Sequence, residues 1–150
     1  MEILWLIGIT LAGLAMGTLL VSKQGEQLML EAISNKTAPQ ALVLCLFKND
    51  VTPTDDFTEA NVTVANFTGY ADIPLTAASW TWTTGDPSYI AFAQQTFTSS
   101  AGSQNQPIYG YYVKQTTSGK YVWGERFADG PYTIVNNGDA IKVTPKLTLE

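Results

Sequence analysis

The sequence predicts a mainly β protein: a β-sandwich or jelly-roll-like domain of about eight strands, preceded by an N-terminal helical segment. Three observations carry this. Charged residues make up 14% of the 150 residues and aromatics 11%, with threonine abundant; branched and aromatic side chains suit a pleated surface. From Ala41 onward the hydrophobic pattern turns to period two or to short apolar runs. Gly, Pro, Asn and Asp clusters separate those runs, as turns do.

The chain divides at residues 1–22, 23–40 and 41–150. Residues 3–21 (ILWLIGITLAGLAMGTLLV) carry no charge and are long enough to span a membrane as a helix. Gly13 and Gly17 stand four apart there, a spacing that lets two helices approach closely. Three readings stay open for this segment: a membrane anchor, a buried or self-associating helix acting as an interaction arm, or a cleaved leader or early start with Met16 as the true one. The n-region offers Glu2 and no basic residue, which weakens the leader reading. Leu28, Leu30, Ala32 and Ile33 then give a short amphipathic helix over about residues 26–34, and Pro39 bars its continuation.

ALVLCLF (41–47) is apolar on both faces and reads as a central strand. Residues 48–63 form a polar loop. VANFTGYADIPL is partly extended, broken at Gly69 and Pro74. ASWTWTT (78–84) alternates and forms a strand; YIAFAQQTFT (89–98) forms another. Residues 99–107 read as a flexible loop. IYGYYVK and YVWGERF make one hairpin. YTIVNN and DAIKVTPKLTL make the last pair around Asn137-Gly138, a type I′ turn signal. Ile141, Val143, Leu147 and Leu149 share one face of a final strand, where Pro145 marks an edge or a bulge.

In the YVWGERF hairpin, two apolar rows must fall on one side of the sheet, and a one-residue slip would flip one of them. A three-residue loop over residues 117–119 meets this, with Gly119 left-handed. It sets Val113 opposite Trp123, Tyr111 opposite Glu125, Tyr109 opposite Phe127 and Gly110 opposite Arg126. Glu125 and Arg126 therefore point to opposite faces. Glu125 sits among tyrosines, and Arg126, the chain's one arginine, lies beside Tyr112 for a cation–π contact. Arg126 is either a satisfied charge in a sheet or an interface residue, since arginine is favoured at interfaces.

Function classes narrow by composition. With no histidine, the usual general base, Ser–His and Cys–His pairs and His-containing zinc sites are absent. Cys45 is the only cysteine and lies in an apolar run, as a buried hydrophobe. The net charge of −5 and scattered basic residues argue against nucleic acid. Asp55, Asp56 and Glu59 offer carboxylates for a hard cation, without EF-hand spacing, and a solvated loop is the simpler reading. Trp80 and Trp82 bracket Thr81 on one face, as core aromatics or as a sugar-stacking platform. Sequons stand at Asn35, Asn61 and Asn66. No cofactor, metal, small-molecule substrate or enzymatic activity is expected.

Seven phrases occur in order: LFKNDVTP, FTGYA, WTW, QTFT, YGYYV, WGERF and GDAIKVTPKLTL. This order resembles a widespread group of small bacteriophage virion proteins, over about residues 25–149. Its members begin near the equivalent of VSKQGEQLML, so the apolar leader stands outside the resemblance. The resemblance implies a β-rich, non-enzymatic structural component of the virion. The leading expectation is a capsid decoration or cement protein that binds major capsid subunits, copies of itself, or both. Its implied place is the capsid surface. The alternatives are a tail or fibre component binding a host glycan, and a membrane-anchored β-domain.

Overall fold

The computed structural model describes residues 10–11, 13–14 and 20–149. The chain is mainly β, with antiparallel sheets and, among the described residues, one α-helix near the N-terminus. In chain order the elements are β1 (Thr10–Leu11), β2 (Gly13–Leu14), β3 (Leu20–Val21), α1 (Lys23–Ile33), β4 (Leu42–Phe47), β5 (Ile73–Leu75), β6 (Trp80–Thr83), β7 (Ser88–Phe92), β8 (Gln95–Thr98), β9 (Gln106–Ile108), β10 (Gly110–Gln115), β11 (Tyr121–Arg126), β12 (Tyr132–Ile134), β13 (Ala140–Val143) and β14 (Lys146–Leu149).

A five-stranded sheet runs β3-β11-β10-β4-β5. The expected central strand is β4, and both of its faces are covered. Leu44 and Leu46 enter the main core with Tyr111, Val113, Trp123 and Phe127. Val43, Cys45 and Phe47 enter a second core with Tyr112, Tyr121 and Val62, flanked by Val51, Phe57 and Val64 of the following loop. That loop is polar in sequence, yet it lays its few apolar side chains over the sheet. Opposite the main core lie the shorter pairings β14-β7-β6, β13-β8 and β12-β9, which contribute Phe92, Phe97, Ile108, Ile134, Ile141 and Val143. Two packed layers result, as the sequence indicates.

The β10–β11 register matches the expected one over four pairs, from Gly110↔Arg126 to Val113↔Trp123. It then slips, and Lys114 faces Tyr121, leaving Val122 as an extra residue in β11. The slip turns Tyr121 to the second core, away from Trp123, where a strict alternation had kept them together. The turn is therefore longer than three residues, with Gln115 N–H bonded to Lys120 O at 3.0 Å. Gly119 is left-handed as expected, at φ 68°. Tyr109 also leaves its expected face. The chain passes from β9 to β10, and so between sheets, at this residue. Its ring joins the second core while Ile108 fills the first.

Two expected strands are each divided. The run expected over residues 89–98 is split between β7 and β8, and the run expected over residues 139–149 between β13 and β14. Phe92 N–H bonds Pro145 O at 2.8 Å, and Gln95 pairs with Val143. Ala93 and Gln94 thus oppose Thr144 alone, which is a bulge beside Pro145. The final hairpin is not formed. The turn at Asn136–Asp139 exists, with Gly138 at φ 90°, but β12 pairs with β9 and β13 with β8. The Asp139 carboxylate accepts Val135 N–H at 2.8 Å and Asn136 N–H at 2.7 Å, tying off the turn while its arms diverge. Residues 106–107, expected as loop, join Ile108 in the edge strand β9. Its Pro107 faces Thr133.

Among the described residues of the apolar leader, Thr10–Leu11, Gly13–Leu14 and Leu20–Val21 are extended, so the helix expectation does not hold for them. The remaining leader residues, Gly17 among them, lie outside the described residues. No helix among the described residues is long and apolar enough to cross a membrane.

Candidate functional site

The expected helix begins three residues earlier than periodicity indicates, because Ser22 caps it. Ser22 Oγ accepts Gly25 N–H at 3.0 Å, a standard way to satisfy a helix's first donors. The same hydroxyl donates to Tyr121 O at 2.8 Å, and Ser22 N–H donates to Val122 O at 3.0 Å. Gln24 Oε1 accepts Tyr121 N–H at 3.1 Å. Gly25 lies against the Val122 carbonyl with no room for a side chain. The bulge at Val122 and the cap at Ser22 thus bolt α1 onto β11, and both Ser22 and Gly25 are buried.

This placement leaves a gap farther along the helix. A cavity of about 270 Å³ opens between α1 and the two layers. Leu28, Met29 and Ala32 form one wall, and Trp80, Ile90 and Leu147 another. Val122 and Trp123 lie at its back. Trp82, Ile90 and Leu147 are cross-strand partners in one row, so they share a face of the sheet. The row emerges from the core: Trp82 is 58% exposed. On α1, Leu30 and Ile33 are 68% and 84% exposed. The domain therefore has an apolar cleft with Trp82 and Ile33 exposed near it, a feature associated with interaction sites, whereas Leu30 lies on the other side of α1 among Lys23, Glu26, Gln27 and Lys36.

Trp80 and Trp82 have separate environments. Trp80 packs edge-on against Phe92 and Trp123, at ring distances of 5.2 and 6.2 Å. The Trp82 indole N–H reaches Thr84 Oγ1 at 3.2 Å, and its ring is open. They do not form a two-ring platform.

Arg126 lies on the second face, as expected, but its ring partner is Tyr109 at 5.0 Å and not Tyr112. Tyr109 has rotated to that face at the sheet change. Arg126 also pairs with Asp50 at 2.6 Å and donates to Val51 O at 3.0 Å. It clamps the loop that covers the second core. Glu125 is fully buried on the main-core side. Burial, followed by the charge of the nearby Glu125 carboxyl, raises the pKa of the Tyr111 hydroxyl well above its usual value. The tyrosine setting expected for Glu125 is present.

The acidic loop is consumed by ion pairs. Lys23 Nζ lies 2.6 Å from Asp56 and 3.5 Å from Asp55, and Lys114 pairs with Glu59. Among the described residues no group of three His, Cys, Asp or Glu side chains is placed to hold a metal. The Cys45 thiol is buried, and that burial pushes its pKa up, which keeps it out of thiolate chemistry. Asn66 Oδ1 accepts from Lys48 and from Gln106, each at 2.6 Å, and Asn61 Oδ1 accepts Thr58 N–H at 2.8 Å. Both sequon side chains serve local structure.

Ser22, Gly25 and the cleft were not singled out from the sequence. Gly25 stands just ahead of the helical pattern read over residues 26–34, so that pattern gave no sign of its close approach to β11. Comparison with protein-family models, curated proteins and solved structures gives no match.

Proposed function

We propose that this chain is a non-enzymatic virion structural protein of the capsid decoration, or cement, type. The observation that carries the reading is the apolar cleft with the exposed Trp82 and Ile33 near its walls, presented by a two-layer β domain. The ordered phrases resemble those of small bacteriophage virion proteins, and that resemblance suggests the partner: major capsid subunits, with further copies of the same chain. A cement protein acts by burying surface across neighbouring subunits, so whatever it binds only in the folded capsid it also stabilises. The cleft offers such surface, and Arg126 and the Ser22 junction hold its scaffold firm. Purified protein added to emptied, undecorated capsids should bind and raise their rupture temperature. Capsids that neither bind the protein nor change in strength would refute the proposal.

The exposed Trp82 ring favours a second reading, a tail or fibre component that stacks a host sugar on that face. A glycan array separates the two: a hit abolished by Trp82→Ala supports the sugar reading.

A further inference from the structure

We infer that the outer edge of β6 (Trp80–Thr83) is a self-association surface, on which β6 of a second copy of the chain adds as an antiparallel strand. Strand pairing alone supports this, whether or not the chain belongs to a virion.

The backbone shows what the edge can bind. β6 is the last strand of the sheet β14-β7-β6. Phe92 N–H bonds Pro145 O at 2.8 Å, on the β14 side of β7. Backbone groups alternate sides along a strand, so Phe92 and Ile90 face β14 while Ala91 and Tyr89 face β6. Trp80 opposes Phe92 and Trp82 opposes Ile90. Thr81 and Thr83 therefore bond inward to β7, and Trp80 and Trp82 turn their N–H and C=O groups outward. Among the described residues no strand lies along that side. Donors and acceptors at this spacing fit another extended strand.

This edge also lacks the guards that several others carry. Outer strands are commonly blunted by lysine or proline. Here β5 has Pro74, β9 has Pro107, β13 has Lys142 and β14 has Lys146. β6 reads WTWT, and residues 73–85 hold no charge. Two copies of a chain of net charge −5 can meet there without like charges in contact. A two-fold axis makes the same strand its own complement.

The outward groups fix the register. Only residues that face outward can form hydrogen-bonded pairs with the added strand. Trp80 of one copy opposite Trp82 of the other, and the reverse, uses every outward group of β6. This sets the two Thr81 residues opposite each other at the centre, where the side chain is exposed. Trp82, 58% exposed, gains Trp80 of the other copy as a cross-strand neighbour, a favourable aromatic pair. The two clefts then lie on one face of a continuous sheet, and pairing leaves them and Ile33 open. An edge this short buries less than the ~1,000 Å² of a stable interface, so the pair is weak in dilute solution and forms where copies are concentrated.

The test places a single cysteine at the centre, Thr81→Cys in the full chain under mild oxidation. Opposed residues of a non-hydrogen-bonded pair have Cα atoms about 4.5 Å apart, within reach of a disulfide. Native Cys45 is fully buried and does not compete. Thr81→Cys should form disulfide-linked dimers roughly tenfold faster than Thr83→Cys, whose two cysteines lie about 13 Å apart along the strands in this register. Equal rates, or no dimer, would overturn the inference. A second readout needs no cysteine. Thr81→Lys sets two like charges face to face at an exposed position, and it should weaken self-association in sedimentation by about tenfold. A parent that stays monomeric up to about 1 mM, or association that Thr81→Lys leaves unchanged, would overturn it. So would slow amide exchange at Trp80 and Trp82 in dilute protein, which would assign the edge to another segment of the same chain.

Discussion

Replacing Gly25 by alanine sets two effects of opposite sign against each other. In an isolated helix, alanine is better than glycine by about 1 kcal/mol. Within this fold, an added Cβ would overlap the Val122 carbonyl oxygen, lie 2.9 Å from its carbon and 3.0 Å from Val21 Cγ1. The contact is with backbone, which cannot swing aside as a side-chain end can. Relief requires α1 to lift from β11, which stretches the bonds from Ser22 to Tyr121 O and Val122 O. Overpacking costs about 1–3 kcal/mol, and each lost buried hydrogen bond about 1 kcal/mol more. The net expectation is a loss of about 2–3 kcal/mol after the helix gain. For a domain of this size each kcal/mol moves the melting point by about 2–4 °C, so Gly25→Ala should melt roughly 4–12 °C lower. Thermal unfolding followed by circular dichroism measures this. Gly102→Ala is the control, since nothing lies within 4 Å of a Cβ there, and it should stay within about 0.5 kcal/mol. A Gly25→Ala protein as stable as the parent, or more stable, would refute the bolted junction.

Arg126→Ala should cost about 1–2 kcal/mol, mainly through the Val51 carbonyl bond and the Tyr109 contact, because Asp50 is 69% exposed and such pairs contribute little. Amide exchange should quicken across the loop of residues 49–64, and Arg126→Lys should restore only part of the protection. Trp80→Ala should destabilise by about 3 kcal/mol, whereas Trp82→Ser should fall within about 0.5 kcal/mol; chemical denaturation of the two variants separates a core ring from a surface ring. Bonds from Asn136 N–H and then Val135 N–H hold the Asp139 carboxyl below the usual carboxylate range. A group whose folded pKa is depressed stabilises above its unfolded pKa and loses that effect as pH falls through the folded one. The melting-point gap between the parent and Asp139→Ala should therefore be full at neutral pH and close in acid, below about pH 4; a gap that persists at pH 2 would contradict this.

Much of the sheet was legible because one strong pattern suffices for a locally paired hairpin. YGYYV and YVWGER fix their own register, and four pairs follow it. The failures lie where the chain leaves one sheet for another. At Val122 and at Ala93-Gln94 a single extra residue reverses which face is buried, and no local periodicity announces it. Tyr109 changes face for the same reason. At Asn137-Gly138 the turn chemistry was right, but its arms gain more by pairing with β9 and β8 than with each other. The cleft was illegible because it arises from three distant elements, α1, β6–β7 and β14, each of which reads alone as ordinary core. The Glu125–Arg126 neighbours were separated correctly onto two faces, yet the partner of Arg126 depended on the turn of Tyr109.

The central claim is that this β domain works by presenting an apolar cleft to a capsid. A cryo-electron microscopy map of the particle carrying the chain tests it most directly. The account predicts density for the domain on the outer capsid surface, with the cleft, Ile33 and Trp82 buried against neighbouring subunits. Particles that lack the chain, or a bound domain with that cleft facing solvent, would contradict it.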